Sequence, residues 1–342
     1  MDFKQHAQET LEISKSLFAI DSPTGFTDKV SQYVLETAQA MGYPAYRNNL
    51  GNVIVTAEGE NNEKEVALSA HVDTLGLMVR SITSEGYLMF TLVGGPIVPT
   101  LDGEYCRIYT RDGRVYTGTI LSIHVHPDAE TRVRDADNMA VRLDEPVHSK
   151  EDVEALGISA GDFICYDPKT TVTESGFLKT RFIDDKACAA LELAVLKLMK
   201  EQNIKPMYKT HFCFSVHEEI GYGGATLPKN IEELLVVDMG CVGCDLSCTE
   251  QQVSICAKDR MGPYDYEMTS RLIELSKKHG IDYAVDIYPR YSSDAGALWH
   301  AGYDTRAALI GPGVHASHGM ERTHVDGLEN TLKLICAYLG LV

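Results

Sequence analysis

Two adjacent carboxylates, Glu218 and Glu219, stand in SVHEEIGYGGA, where a short apolar run gives way to a glycine-rich turn. Adjacent acids repel and are costly to desolvate, so a pair at the end of a buried strand needs a compensating positive charge. A metal ion supplies one, and the rest of the chain offers further ligands. His71 and Asp73 lie in SAHVDTLG, Asp184 and Asp185 in RFIDDKACAA, Asp238 in LLVVDMG and His318 in ASHGMERTH. All but the last follow a strand-like run directly. The set points to a two-metal hydrolase.

Each position has its own logic. His71 and Asp73 are two apart, so on a strand both leave the same face. His71 suits an imidazole ligand, and Asp73 could take the hydrogen bond of its other ring nitrogen. Asp184 and Asp185 precede a strong helical pattern and either could cap it. One carboxylate can also bridge two cations, a role that suits Asp184, with Asp185 capping or standing behind the ligands. In extended backbone Glu218 and Glu219 point to opposite sides, one toward a metal and the other toward the substrate water. Asp238 ends a run too apolar for an exposed strand. In open α/β sheets, ligands gather outside the carboxyl ends of strands, where these residues fall.

Local patterning predicts the scaffold that carries these residues. Two amphipathic helices occupy about the first 40 residues, with strands NVIVTA and EVALSAHVD after them. From about 75 to 165, short β-rich segments such as GLMVRSI, YLMFTLV and RVYTGTILSI alternate with Gly, Asp-Gly and Pro turns, which suits a small barrel. The α/β alternation then resumes: a helix over DDKACAALELAVLKLMKEQN with Ala187, Leu191, Val195 and Leu198 on its apolar face, strands THFCFSV and LLVVD, further helix–strand units and a C-terminal helix. The expectation is an α/β fold, a mixed and largely parallel sheet flanked by helices, divided as 1–74, an inserted β-rich domain at 75–165, and 166–342.

Composition bounds the function. The 342 residues carry a formal charge of −18, which argues against nucleic-acid or anionic membrane surfaces. The polar start MDFKQHAQETLEIS predicts no secretory leader, and no apolar run is long enough to span a bilayer. Nine scattered cysteines suit reduced thiols and a cytoplasmic location. Cys241, Cys244 and Cys248 lack the fourth ligand of a zinc knuckle and read as small buried thiols.

With these motifs in hand, the chain resembles the co-catalytic di-metal metallopeptidases of the glutamyl and tetrahedral aminopeptidase family, M42. SPTGFTDK, LGNVIV, AHVDTLGLMV, IDDKACAA, EEIGYGGA, VVDMG and SSDAGALWHAG carry the resemblance over nearly the whole chain. It implies that His71 and Asp238 complete one metal site and Glu219 and His318 the other, with Asp184 bridging. It makes Glu218 the general base and Asp73 the partner of His71. His315, His318 and His324 all lie near the last motif; Glu321, following closely as in the family, selects His318, with His324 the runner-up. Lys186 departs from the usual Arg. The resemblance further implies two divalent ions per subunit, zinc first and cobalt or manganese next, about 3.5–4 Å apart and sharing an activated water. The implied reaction removes N-terminal residues from short peptides, in a homodimer or a larger assembly up to a hollow dodecamer. The alternatives are a related di-metal deacylase, carboxypeptidase-type or endoglucanase-labelled hydrolase, and a non-catalytic scaffold that kept the fold.

Overall fold

The computed structural model describes residues 1–342 and divides into two compact units, Met1–Asp73 with Lys169–Val342, and Thr74–Pro168.

The larger unit is built on a mixed twelve-stranded sheet. At its centre Asn61–His71 lies between Tyr208–Ser215 and Glu233–Val237 and runs parallel to both, and Arg306–His315 continues the parallel set. Antiparallel strands flank this centre, Val53–Ala57 on one side and Val253–Lys258 on the other. The central runs are continuous in apolar residues because both faces are covered: Leu68, Phe212, Phe214, Leu234 and Leu235 are all fully buried. Register fixes where the strands end. Ser215 pairs with His71 and Val236 with Ser69, so three parallel strands end nearly level and release Asp73, the Glu218–Glu219 pair and Asp238 at one edge of the sheet.

The helix Ile183–Gln202 differs from its expected amphipathic form. Cys188, Ala189, Ala190, Glu192, Leu193 and Leu196 are buried as well as Ala187, Leu191, Val195 and Leu198. Small residues let it pack on all sides, against the sheet and against Phe3–Phe18 and Val325–Tyr338. Lys186, also buried, donates from Nζ to the carbonyls of Leu17 and Ile20, satisfying the open C-terminal end of the first helix. No helix is long and apolar enough to cross a membrane.

The smaller unit closes six antiparallel strands into a barrel, in the order Gly76–Ile82, Leu88–Val93, Met139–Leu143, Val115–Ser122, Tyr105–Tyr109 and Phe163–Tyr166. Its filling is apolar, with Leu77, Leu88, Phe90, Ile108, Ile120 and Ile164 fully buried. The expected α/β class with a β-rich insert is the observed one.

Candidate metal centre

The strand Asn61–His71 delivers His71 at its last residue. Nδ1 lies 3.0 Å from the backbone carbonyl of Asp73 and 3.6 Å from its carboxylate. Donation to that carbonyl leaves Nε2 facing the acids, 3.1 Å from Asp184 Oδ1 and 3.7 Å from Glu218 Oε2. Of the two Asp73 oxygens near the ring, the backbone carbonyl is the one at hydrogen-bond distance. The carboxylate itself is occupied: it accepts the N–H groups of Glu218 and Glu219 at 3.2 and 3.3 Å and the Thr24 hydroxyl at 2.6 Å.

Glu218 and Glu219 are not extended. They form the short 3-10 turn Glu218–Ile220, closed by Gly221 at φ +89°, a conformation that favours glycine. The two N–H groups point at Asp73, and the side chains still reach inward. Glu219 Oε2 lies 3.7 Å from His318 Nε2.

Asp184 and Asp185 open the helix Ile183–Gln202 with non-helical backbone, joined by a cis peptide bond. Asp184 stands between the two imidazoles, Oδ1 toward His71 and Oδ2 3.6 Å from His318 Nε2, and also accepts the Ser317 hydroxyl at 2.9 Å. Asp185 Oδ2 accepts the backbone N–H of His71 at 3.2 Å, and ligand-type atoms of Asp185, His71 and Asp238 lie within 4.8 Å of one another. A second group of that kind is His71, Asp184 and Glu219.

His318 sits in the turn between Arg306–His315 and Glu321–His324, at φ +65° beside Ala316 at φ +60°. The buried Glu321 holds that turn to the helix start, accepting the N–H of His318 through Oε1 and of Asp184 through Oε2, both at 3.1 Å. His324 lies elsewhere, 2.7 Å from the Ser175 carbonyl and capping the last helix, and His315 is exposed on its strand. Of the three histidines, His318 reaches the carboxylates.

The electrostatics are one-sided. The ion-pair partners of Asp184, Glu218 and Glu219 are the imidazoles of His71 and His318 rather than any Lys or Arg. Burial pushes the carboxyls of Glu218, Glu219 and Asp185 well above the ordinary range, and neighbouring acids add to this. Asp238 is pushed up to about 7 by burial and then by Asp184. Asp184 goes the other way: burial would raise it, but the hydrogen bond and charge of His71 outweigh that. Glu219 Oε1 and Asp185 Oδ1 are buried without any hydrogen-bond partner.

Sequence reasoning missed Thr24, Tyr291 and Asp294. The Tyr291 phenol is pushed well up by burial and then by the charges of Asp238, Asp184 and Glu218. The thiol reading needs one correction: Cys248 is buried, Cys241 half-buried and Cys244 exposed, the loop after Gly240–Val242 turning it to solvent.

The chain is similar to known proteins over most of its length. The model of the M42 glutamyl aminopeptidases matches residues 51–334. The chain belongs to the M42 glutamyl aminopeptidase family. Its class is accordingly aminopeptidase, a hydrolase of peptide bonds. It is 45% identical over 337 residues to YhfE of Bacillus subtilis (strain 168), a protein assigned as an aminopeptidase, covering 97% of each chain. Two solved structures share the fold at 22% identity. The aminopeptidase APDkam598 from Desulfurococcus kamchatkensis superposes with a TM-score of 0.89, covering 98% of this chain and 96% of that one. The TET1 peptidase of Pyrococcus horikoshii, described as assembling into a tetrahedron or a large octahedral shell, gives 0.83 with 96% and 99% covered.

Proposed function

We propose that this M42 family member is a metal-dependent aminopeptidase that removes N-terminal residues from short peptides, with Glu218 as general base. The observation that carries it is a buried carboxylate cluster whose ion-pair partners are two imidazoles, with unpartnered oxygens on Glu219 and Asp185. Buried acids so arranged remain anionic only beside a strong cation. A donor set of imidazole nitrogens and carboxylate oxygens fits divalent zinc, cobalt or manganese. His71, Asp184 and Asp238 would hold one ion, and Asp184, Glu219 and His318 the other, with Asp185 against the first. When bound, such ions supply Lewis acidity for the scissile carbonyl and acidify water.

The chain's own groups do the rest. Glu218 takes a proton from the attacking water at its carboxylate and returns it to the leaving amine. Burial disfavours the charged form of its carboxylate, which inclines it to accept a proton. Asp73 fixes that base by holding the backbone N–H of both glutamates, and Thr24 fixes Asp73. The excess of acids at the cluster favours a substrate α-ammonium and so restricts cleavage to free N-termini.

The reading is tested with aminoacyl-anilides and their N-acylated analogues after metal stripping and readdition. Hydrolysis of the free-amine substrates should return with the metal. Full turnover in the stripped protein, or equal cleavage of the acylated set, would overturn it.

The unit Thr74–Pro168 is proposed as the surface that pairs subunits. Tyr105, Val125 and Val133 on it are each about two-thirds exposed or more, at 65%, 74% and 67%. Light scattering at micromolar concentration should give at least a dimer; a mass near 37.7 kDa would refute it.

A further inference from the structure

Asp294, the first residue of the helix Asp294–His300, is 2% exposed and is tied to the segments that build the cluster without belonging to it. Its Oδ2 accepts the hydroxyls of Ser69 at 2.5 Å and Ser215 at 2.7 Å. Ser69 stands two residues before His71, and Ser215, the last residue of the adjacent parallel strand, stands three before Glu218. One carboxylate oxygen therefore links the strand that delivers the imidazole to the strand that delivers the glutamates.

A third segment closes on the same residue. A Cβ at Gly223 would lie 2.4 Å from Asp294 Oδ1 and 2.9 Å from the backbone nitrogen of Glu218, and one at Gly224 would lie 2.1 Å from the Asp294 carbonyl oxygen. Only glycines allow this loop to fold back from the Glu218–Glu219 turn onto Asp294. Oδ1 makes no hydrogen bond. Glu192, fully buried in the central helix with both oxygens partnerless, is the neighbouring acid whose charge acts with that of Asp294. Helix capping does not explain these contacts, because Ser293 performs it.

We propose that Asp294 is a positioning residue for the aminopeptidase reaction, setting the spacing between the strand that carries His71 and the turn that carries Glu218 and Glu219. The two serine hydroxyls are the means, and the Gly223–Gly224 approach keeps the turn in place. The proposal rests on the two-ion peptidase reading of the cluster. Misplacing a reacting group by about 1 Å costs on the order of 10²-fold in rate, and loss of a group that orients a ligand costs about 10–100-fold in metal affinity.

The test uses the full chain with zinc, comparing Asp294→Asn, Asp294→Ala and the double variant Ser69→Ala/Ser215→Ala by kcat, KM, zinc affinity and Tm. The Asn amide oxygen can accept both hydroxyls, so Asp294→Asn should stay within about fivefold of wild-type kcat while Asp294→Ala loses about 10–100-fold. The double serine variant should follow Asp294→Ala, with KM nearly unchanged, zinc bound about tenfold more weakly, and a Tm still well above the assay temperature. If Asp294→Ala does not fold, the double serine variant carries the test. Wild-type kcat and zinc affinity in that double variant overturn the proposal, as does a loss that only tracks the unfolded fraction. An Asp294→Asn as impaired as Asp294→Ala also overturns it. Wild-type protein that binds no zinc would instead strike the two-ion reading.

Discussion

The strand Glu233–Val237 has a buried acid at each end, and the two are treated in opposite ways. Glu233, its first residue, receives Lys64 at 2.8 Å, Arg306 at 2.9 Å, a close contact from Arg271 and the Tyr338 hydroxyl at 3.1 Å. Burial alone would raise its carboxyl, but Arg271 and Lys64 hold it at about 2. Asp238, one residue past the other end, lies among Asp184, Asp185 and Glu218, and is pushed up to about 7 with His71 as its relief. One end is neutralised by the protein's own side chains. The other gathers acids and contributes only imidazoles. Buried carboxylates by themselves do not mark a site; a set left without protein cations, in a fold able to supply them five residues away, is what points to an external one.

The largest break of this comparison is removal of that external cation. A chelator should abolish hydrolysis and lower Tm, because an ion at 100 times its Kd contributes about 2.7 kcal/mol per site to the folded state. Zinc, cobalt or manganese should restore both, and a Tm indifferent to chelator and metal would remove the distinction between the two ends. Next in size is Glu218→Gln. It keeps shape and hydrogen bonding but cannot take the proton, so kcat should fall about 10²–10⁴-fold with two ions still bound. A variant within a few-fold of wild type would move the role to Glu219.

The comparison also explains what was legible in the sequence. That His71, Asp184, Glu219 and Asp238 would lie near one another was legible because strand ends and an acid-rich helix start leave linear signals, and the parallel register brings them level, whereas His318 was singled out from His315 and His324 only by the resemblance. The fold class was legible for the same reason, since the apolar central strands alternate with helical periods. Roles that depend on which atom of a residue does the bonding were not legible. Asp73 presents its carbonyl to His71 and its carboxylate to Glu218 and Glu219, and no spacing distinguishes these. Asp294 meets Ser69 across 225 positions and Ser215 across 79, a contact made only by tertiary packing. The apolar face of Ile183–Gln202 was underestimated because Ala and Cys give weak periodicity in a helix buried all round.

A smaller effect sharpens the site itself. His318→Ala should lower metal content from two ions toward one per chain, because His318 alone of the late histidines faces Asp184 and Glu219. His324→Ala should leave metal content unchanged, losing instead the cap of the last helix, about 0.5–2 kcal/mol of stability. Elemental analysis of the two variants gives the answer, and metal loss in His324→Ala alone would reverse the assignment.

The smallest expected effect lies at the neutralised end. Glu233→Gln leaves Lys64, Arg271 and Arg306 facing one another without their common anion. Because both arginines are nearly half exposed, at 44% and 45%, the cost is about 1–2 kcal/mol rather than that of a fully buried pair. Its pH dependence has a definite sign. The Glu233 carboxyl is held down from an ordinary 4.5 to about 2 in the folded protein, so its contribution is fully present above pH 4.5 and is lost as pH falls toward 2. In metal-stripped protein, where the acids of the other end titrate alike in both proteins and cancel, the Tm gap between wild type and Glu233→Gln should be constant from neutral pH to about 5 and shrink below about 4.5. A gap that persisted undiminished at the lowest pH at which both proteins fold would show that packing around Glu233, rather than its charge, supplies the stability, and the contrast between the two ends of the strand would no longer be electrostatic.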